Sequence, residues 1–286
     1  MAKVSNAVKR FLYKRLSLEK YLGVVSRMFF IGYGLGLGRK STVYEYPRFL
    51  KHLVRAGDTV IDIGANLGYY SRILCRLVGP TGKVYAVEPV KPILNVLKRN
   101  VRRCGSVEIM PYALGLEEKS ILMGNDSSRW AGYMGTGRNR VLENTSSPTE
   151  ARQCREAARR EQPTEVTYVP DGGYLIEFAA EMKRGSRLFA GLTRLDFIKC
   201  DIEGYETVVI PEMAPVIEKH MPVVLIETGG SNRRVILELL REWGYAGYVL
   251  KDGRLRSLMR EEGDKDIVFI PGHRLHDFGE VMENER

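Results

Sequence analysis

From about residue 58 the chain alternates short, β-branched apolar runs with longer segments whose apolar residues recur at helical spacing. DTVIDIG is a run of the first kind, closed by glycine. LGYYSRILCRLVG follows with Leu67, Tyr70, Ile73, Leu74 and Leu77 at helical intervals. KVYAVEP is a second strand stopped by Pro89, and PILNVLKRNVRRCG then reads as a helix with Pro92 at its start and Gly105 at its end. VEIMPY, LDFIKCD and PVVLIET predict a third, fourth and fifth strand, the last followed by a helix over 231–243. YAGYVLKDGRLRSL sets Asp252-Gly253 between two strand-like runs and predicts a hairpin, and DIVFIP predicts a final strand. The alternation predicts an α/β fold: a doubly wound, mostly parallel, seven-stranded sheet with a C-terminal antiparallel hairpin strand.

The pattern divides the chain into an arm at 1–45, a sheet domain at 46–272 and a polar tail at 273–286. Between Gly124 and about Gly191 no period is sustained. The run NDSSRWAGYMGTGRNRVLENTSSPTEARQCREAARREQP is rich in polar, glycine and arginine residues. A connection of that length is usually functional or disordered. It predicts an insertion over 125–190 near a substrate mouth.

Composition changes this picture mainly through charge. With 44% apolar and 28% charged residues, the 286-residue chain matches an ordinary globular protein. The net charge of +9 is concentrated: residues 1–40 carry nine Lys or Arg against Glu19, which leaves about +1 for the rest. A nucleic-acid enzyme more often spreads basic patches over its catalytic domain. The apolar run Leu22–Leu37 is broken by Arg27 and several glycines, too short to span a bilayer and unlike a secretion signal. Val4, Val8, Phe11, Leu12 and Leu16 recur at helical spacing, with Lys3, Lys9, Arg10 and Lys14 largely on other faces. Such a helix either docks on the domain or lies on an anionic membrane surface. Cysteines 75, 104, 154 and 200 form no C-x-x-C pair, which disfavours a zinc site or disulfide framework and fits a reducing compartment. The expected location is cytoplasmic, peripheral on the inner membrane face if the arm binds lipid.

The candidate chemistry starts at VIDIGANLGYYS, residues 60–71, a loop that leaves a predicted strand and opens a predicted helix. A helix N-terminus there offers unpaired N–H groups to an anion. The spacing from Asp62 is D-x-G-x-N-x-G, with Gly64, Asn66 and Gly68, and is not the G-x-G-x-x-G of a pyrophosphate loop. Asn66 tolerates left-handed torsion and adds an amide. Glu88, 26 residues after Asp62, ends the second strand, where a carboxylate can accept hydrogen bonds from both ribose hydroxyls. Together these point to S-adenosyl-L-methionine as cofactor. A strand–glycine–helix turn can also be purely structural, and Asp62 can simply cap the loop.

VIDIGANLGYYS, YAVEP, YALG and DFIKCDIEGYE, in that order, resemble the motifs of FkbM-type methyltransferases over about residues 50–230. The resemblance implies a class I, S-adenosylmethionine-dependent enzyme of a family that mostly methylates hydroxyls on sugars and natural products. It implies cofactor contacts at Asp62, Gly64, Asn66, Gly68 and Glu88, with Tyr112 and Ala113 near the adenine. The insertion, the basic arm and Tyr205 after the D-I-E-G turn depart from the family pattern.

Methyl transfer to a hydroxyl needs alignment and an acceptor for the proton. Two-residue alternation puts Phe197, Lys199 and Asp201 on one face of the fourth strand, so Asp201 emerges at its carboxyl end with Lys199 behind it. Asp201 is the candidate base, Lys199 its partner, and Glu203 in the following turn orients substrate or cofactor. The alternative is a Lys199–Asp201 pair with Glu203 and Glu206 capping the next helix. Glu227 in LIETGG and Tyr70 after the glycine loop are substrate-side candidates. Hard cations favour oxygen ligands, yet nothing in the spacing of Asp201, Glu203 and Glu227 demands a metal. The expected partner is a small-molecule, glycan or lipid-linked hydroxyl substrate. Two rivals are an RNA methyltransferase using the basic arm and a nicotinamide-dependent oxidoreductase. The first lacks an N-P-P-Y type motif and excess charge on the core, and the second lacks the pyrophosphate spacing.

Overall fold

Successive residues of the central strands send their side chains into two different cores, and this alternation explains the layers. In the computed structural model, described over residues 2–37, 42–142, 165–169, 173–230, 232–258 and 265–283, the arm forms helices α1 (Ala2–Arg15) and α2 (Leu18–Gly34). Arg39, Lys40, Cys154, the polar run 143–164, Ser231 and the last three residues of the tail lie outside the described residues, as do the Lys3 and Val4 side chains. Helix α3 (Thr42–Phe49) leads to strand β1 (Thr59–Ile63), helix α4 (Tyr69–Val78), β2 (Lys83–Val87), α5 (Lys91–Val101) and β3 (Val107–Met110). Four short pieces follow: β4 (Ala113–Leu114), β5 (Lys119–Asn125), β6 (Asn139–Val141) and β7 (Glu165–Val169), and then the long β8 (Gly173–Lys183). The chain ends with β9 (Phe197–Cys200), β10 (Val223–Glu227), β11 (Tyr245–Lys251), β12 (Arg254–Ser257) and β13 (Asp266–Pro271).

The main sheet runs β12-β11-β13-β10-β9-β1-β2-β3. Strands β3, β2, β1, β9 and β10 are parallel, and β13, β11 and β12 add antiparallel pairings. The sheet is one strand wider than the seven expected, because both arms of the Asp252-Gly253 hairpin pair within it. Ile61, Ile63, Ile198, Cys200, Val224 and Ile226 face one core, covered by helices Glu206–Glu212, Ala214–His220 and Asn232–Glu242. Val60, Phe197, Val223 and Leu225 face the other, under α3 and α4. Both faces are covered, as a parallel sheet requires. Reversal of strand order between β1–β2 and β9–β10 opens a crevice at their carboxyl ends.

A second sheet was not anticipated. It runs β4-β8-β5-β6, with β7 also on β8, and most of it lies inside the segment 125–190. Strand β8 keeps a period of two, burying Ile176, Phe178, Ala180 and Met182. Its Phe-Ala-Ala-Glu-Met sequence is rich in helix formers, so pairing with β5 overrides local preference.

The arm is integral to this part of the fold. Tyr21 and Leu22 of α2 are fully buried with Val96 of α5 and with Ile121, Phe178 and Met182 of the second sheet. Leu12, Tyr13 and Leu16 join them, and the Tyr21 hydroxyl donates to the Met134 carbonyl at 3.1 Å. Val8 and Phe11 stay exposed, so only part of the apolar stripe on α1 docks. No helix among the described residues is long and apolar enough to cross a membrane. Leu22→Ala should destabilise the protein by about 2–5 kcal/mol in chemical denaturation, because it leaves a cavity between α2 and the second sheet.

Candidate active site

After β1 the chain turns through Gly64, Asn66 and Gly68 at φ of 75°, 52° and 82°. Asn66 thus adopts the left-handed torsion its short polar side chain tolerates. Its Oδ1 accepts from the Leu67 amide at 2.8 Å and its Nδ2 donates to the Thr136 carbonyl at 3.3 Å, which stiffens the loop and ties it to the second sheet. Gly64 is required for a second reason: a Cβ there would overlap the Asp201 carbonyl oxygen. Glu88 is buried where β2 ends. Its Oε2 accepts from the Asn66 amide at 3.0 Å and its Oε1 from the Val90 amide at 2.9 Å. Burial pushes its pKa up to about 7, against the two amides, which favour the carboxylate.

Lys199 is 4% exposed and sits behind the crevice. Its Nζ donates to the Gly64 carbonyl at 3.1 Å and lies 3.2 Å from Asp201 Oδ2 and 3.8 Å from Asp62 Oδ1. Burial alone would lower its pKa, but Asp201 and Asp62 more than offset that and hold it above the usual lysine range. Asp62 is fully buried, and its Oδ2 accepts from the Ser71 hydroxyl at 2.6 Å. Burial raises the Asp62 pKa, opposed by Lys199 and Ser71.

One carboxylate oxygen each from Asp201, Glu203 and Glu227 lies within 4.8 Å of the others. Glu203 stands in the turn after β9 at φ 57°, followed by Gly204 at φ 102°. Burial raises the Asp201 pKa, but the Lys199 ammonium and a hydrogen bond with Glu227 outweigh it, and the net shift is downward. Burial and the bond to Asp201 push Glu227 up to about 8. Burial, then repulsion from Asp201 and Glu206, pushes Glu203 up to about 7. The two members of the Asp201–Glu227 pair are therefore driven in opposite directions, Asp201 downward and Glu227 upward. These three carboxylates are also the group that could hold a divalent cation.

Of the residues singled out in the sequence, Gly64, Asn66, Glu88, Tyr112, Ala113, Asp201 and Glu203 line one cavity. Glu227 joins at its edge through Asp201. Asp62, Gly68, Lys199 and Tyr70 do not line it. Asp62 and Lys199 brace the loop from behind, Gly68 opens α4 with Leu97 packed against it, and Tyr70 lies with its ring 5.1 Å from Lys199 Nζ. The cavity also takes Met123, Thr136, Gly137, Asn139 and Val141 from the second sheet and its connections, none of which the sequence marked individually. Thr136 and Gly137, which fall within the segment 125–190, line the cavity.

These residues fit an adenosyl cofactor. The Gly64 position cannot accept a Cβ, no side chain caps the start of α4, and Glu88 keeps lone pairs for ribose hydroxyls after its two amide bonds. Ala113, Leu114, Met123 and Val141 give an apolar wall suited to a purine.

Fold and site together define an S-adenosylmethionine-dependent methyltransferase of the doubly wound type. The chain belongs to the methyltransferase FkbM domain family, whose model matches residues 62–265. A second model, for protein-L-isoaspartate (D-aspartate) O-methyltransferase, matches residues 1–116. Among individual proteins, the chain is 28% identical over 147 residues to a protein-L-isoaspartate O-methyltransferase of Methanosarcina mazei, covering 51% of this chain and 54% of that protein. It is 34% identical over 91 residues to the protein of the same name from Aeropyrum pernix, covering 32% and 34%. The chain thus spans about half or less of the length of these relatives. Among solved structures, a methyltransferase FkbM from Methylobacillus flagellatus aligns at 13% identity and a TM-score of 0.42, covering 93% of this chain and 59% of that one. Fibrillarin of Aeropyrum pernix with bound S-adenosyl-L-methionine aligns at 12% identity and a TM-score of 0.41, covering 78% and 72%.

Two measurements probe the site. Ribose hydroxyls donate hydrogen bonds, so the Glu88 carboxylate binds them better than its acid form. Affinity for S-adenosylhomocysteine should rise as pH passes upward through about 7, and Glu88→Gln should flatten that rise in calorimetric titrations. Lys199→Met leaves buried Asp62 and half-buried Asp201 without their cation, and should cost about 3 kcal/mol of stability in denaturant unfolding, most of it from Asp62.

Proposed function

We propose that the enzyme transfers a methyl group to a hydroxyl of a sugar, glycolipid or related natural product, with Asp201 as proton acceptor. The observation that carries this reading is the cluster of Asp201, Glu203 and Glu227, the first two of which line the cavity. The bound cofactor supplies an electrophilic methyl on a sulfonium. Asp201, kept ionised by Lys199, would accept a hydrogen bond from the acceptor hydroxyl and take its proton as that oxygen receives the methyl group and the sulfonium is left as a neutral thioether. Glu227, whose pKa is raised beside Asp201, donates to Asp201 in its acid form and so limits charge repulsion in the cluster. Glu203, at the mouth with a raised pKa, can hold a neighbouring hydroxyl of a polyol. Alignment by these groups supplies much of the rate.

A second reading is favoured by one observation, the isoaspartate methyltransferase match over residues 1–116. That match ends before Asp201, Glu203 and Glu227, so it covers the cofactor half of the crevice without the acidic half. A carboxylate acceptor needs no base, and a cluster of acids would repel it. The hydroxyl reading uses the cluster and the carboxylate reading is opposed by it.

Methyl-labelled cofactor offered with a panel of glycans and glycolipids, and separately with an isoaspartyl peptide, tests the choice. Labelling of a glycan hydroxyl supports the proposal, and labelling of the peptide alone overturns it. On the accepted substrate, Asp201→Asn should lower kcat by roughly 10²–10⁴ while leaving S-adenosylhomocysteine affinity close to that of the unaltered protein. Unchanged kcat removes Asp201 from the chemistry.

A further inference from the structure

Away from the catalytic cavity, α2, α4 and α5 enclose a cleft of about 750 Å³. Seven cations line it against the single carboxylate of Glu19. Glu19 is already engaged, accepting from Asn95 at 2.6 Å and lying 3.6 Å from Arg99. The other six, Lys20, Arg27, Arg72, Arg76, Arg102 and Arg103, have no ion-pair partner among the described residues, and all but Arg72 are exposed. Arg72 lies over the Phe30 ring at 4.5 Å. Concentrating this much like charge is unfavourable unless an anion answers it.

The same face of α2 continues into apolar side chains. At 3.6 residues per turn, Lys20, Val24, Arg27, Ile31 and Leu35 fall within about 80° of one another around the helix. Lys20, Val24 and Arg27 line the cleft, while Ile31 and Leu35 are 60% and 69% exposed, flanked by exposed Met28, Leu37 and Val43. A basic cleft running into an uncovered aliphatic ridge has the chemistry of a bilayer interface, with phosphates against the cations and aliphatic side chains among the acyl chains. A nucleic acid would use the cations but would leave Ile31 and Leu35 in water, since it binds exposed side chains by stacking on aromatic rings.

We propose that this face of α2, with the cleft beside it, docks the enzyme on a membrane surface rich in anionic lipid headgroups. The membrane role expected of α1 thereby shifts to its neighbour. Arg10 of α1 donates to the Ala131 carbonyl at 2.6 Å, Lys9 lies over the Tyr133 ring, and Leu12 and Leu16 are packed against the core. The cleft shares no lining residue with the catalytic cavity, so docking and cofactor binding are separable.

Because Tyr21 and Leu22 are core residues, removing the arm would unfold the domain, and the test uses the full chain with surface substitutions. Co-sedimentation is measured with phosphatidylcholine vesicles, with and without phosphatidylglycerol, at low and high salt. Salt-sensitive binding to the anionic vesicles is expected, weakened about five-fold for each charge removed in Arg76→Gln and Arg102→Gln. Ile31→Ser with Leu35→Ser should weaken binding at both salt concentrations. Circular dichroism and S-adenosylhomocysteine affinity should be unchanged in all variants. Absence of vesicle binding, equal binding to neutral and anionic vesicles, or insensitivity to both sets of substitutions overturns the proposal. So does RNA binding that the charge variants abolish and the apolar variants leave intact. None of these outcomes bears on which acceptor is methylated.

Discussion

The ammonium of Lys199 is the point on which the site depends. Buried between β9 and the glycine loop, it holds a loop carbonyl and faces two carboxylates from two adjacent strands. Each contact serves a different purpose. Gly64 fixes the loop, Asp62 compensates the buried charge and anchors Ser71 of α4, and Asp201 remains ionised at the crevice. Buried Asp62 and buried Lys199 would be unfavourable separately, and their grouping with half-buried Asp201 is what makes the burial tolerable. The same charge balance separates Asp201 from Glu227, lowering the pKa of the first and raising that of the second. Cofactor loop and acid cluster are therefore coupled through one buried side chain that does not line the cavity.

Much of the central sheet can be read from the chain because its strands are buried on both faces. VIDI, VYAV, FIKC and VVLI are continuous apolar runs with at most one or two polar residues, and each ends at a glycine, an acid or a proline that marks the crevice edge. The loop residues Gly64 and Asn66 are equally legible, since their torsions demand those residue types. The second sheet is not. Its strand β8 carries helix-forming residues and gains its shape from pairing with β5, 51 to 63 residues earlier, information no local window holds. Thr136, Gly137 and Asn139 enter the cavity only because that sheet folds over it. Lys199 illustrates the intermediate case: strand alternation gives its side and its neighbour Asp201, but the contact with Asp62 depends on the β1–β9 register, which sets Asp62 opposite Lys199.

Electrostatic charge is partitioned over the molecule in a way that composition alone conceals. The carboxylate cluster of Asp201, Glu203 and Glu227 is acidic, while α2, α4 and α5 present cations elsewhere. An acidic mouth suits a neutral polyol and disfavours phosphate, whereas the basic cleft does the reverse. The two surfaces carry opposite charge and share no lining residue.

The burial of Tyr21 and Leu22 against Phe178 and Met182 also constrains how the molecule comes into being. The first hundred residues can form α2, α4 and α5, but the wall that completes the pocket for α2 is more than 150 residues further along the chain. At a synthesis rate of about 5–20 residues per second, α2 would wait on the order of 8–30 s with its apolar face incompletely covered. Long-range closure of this kind slows folding, because the entropy of ordering the intervening chain must be met before the contact repays it. The N-terminal helices are thus early to be synthesised and late to be locked, and a nascent chain would pass through an interval in which its stickiest surface is its oldest.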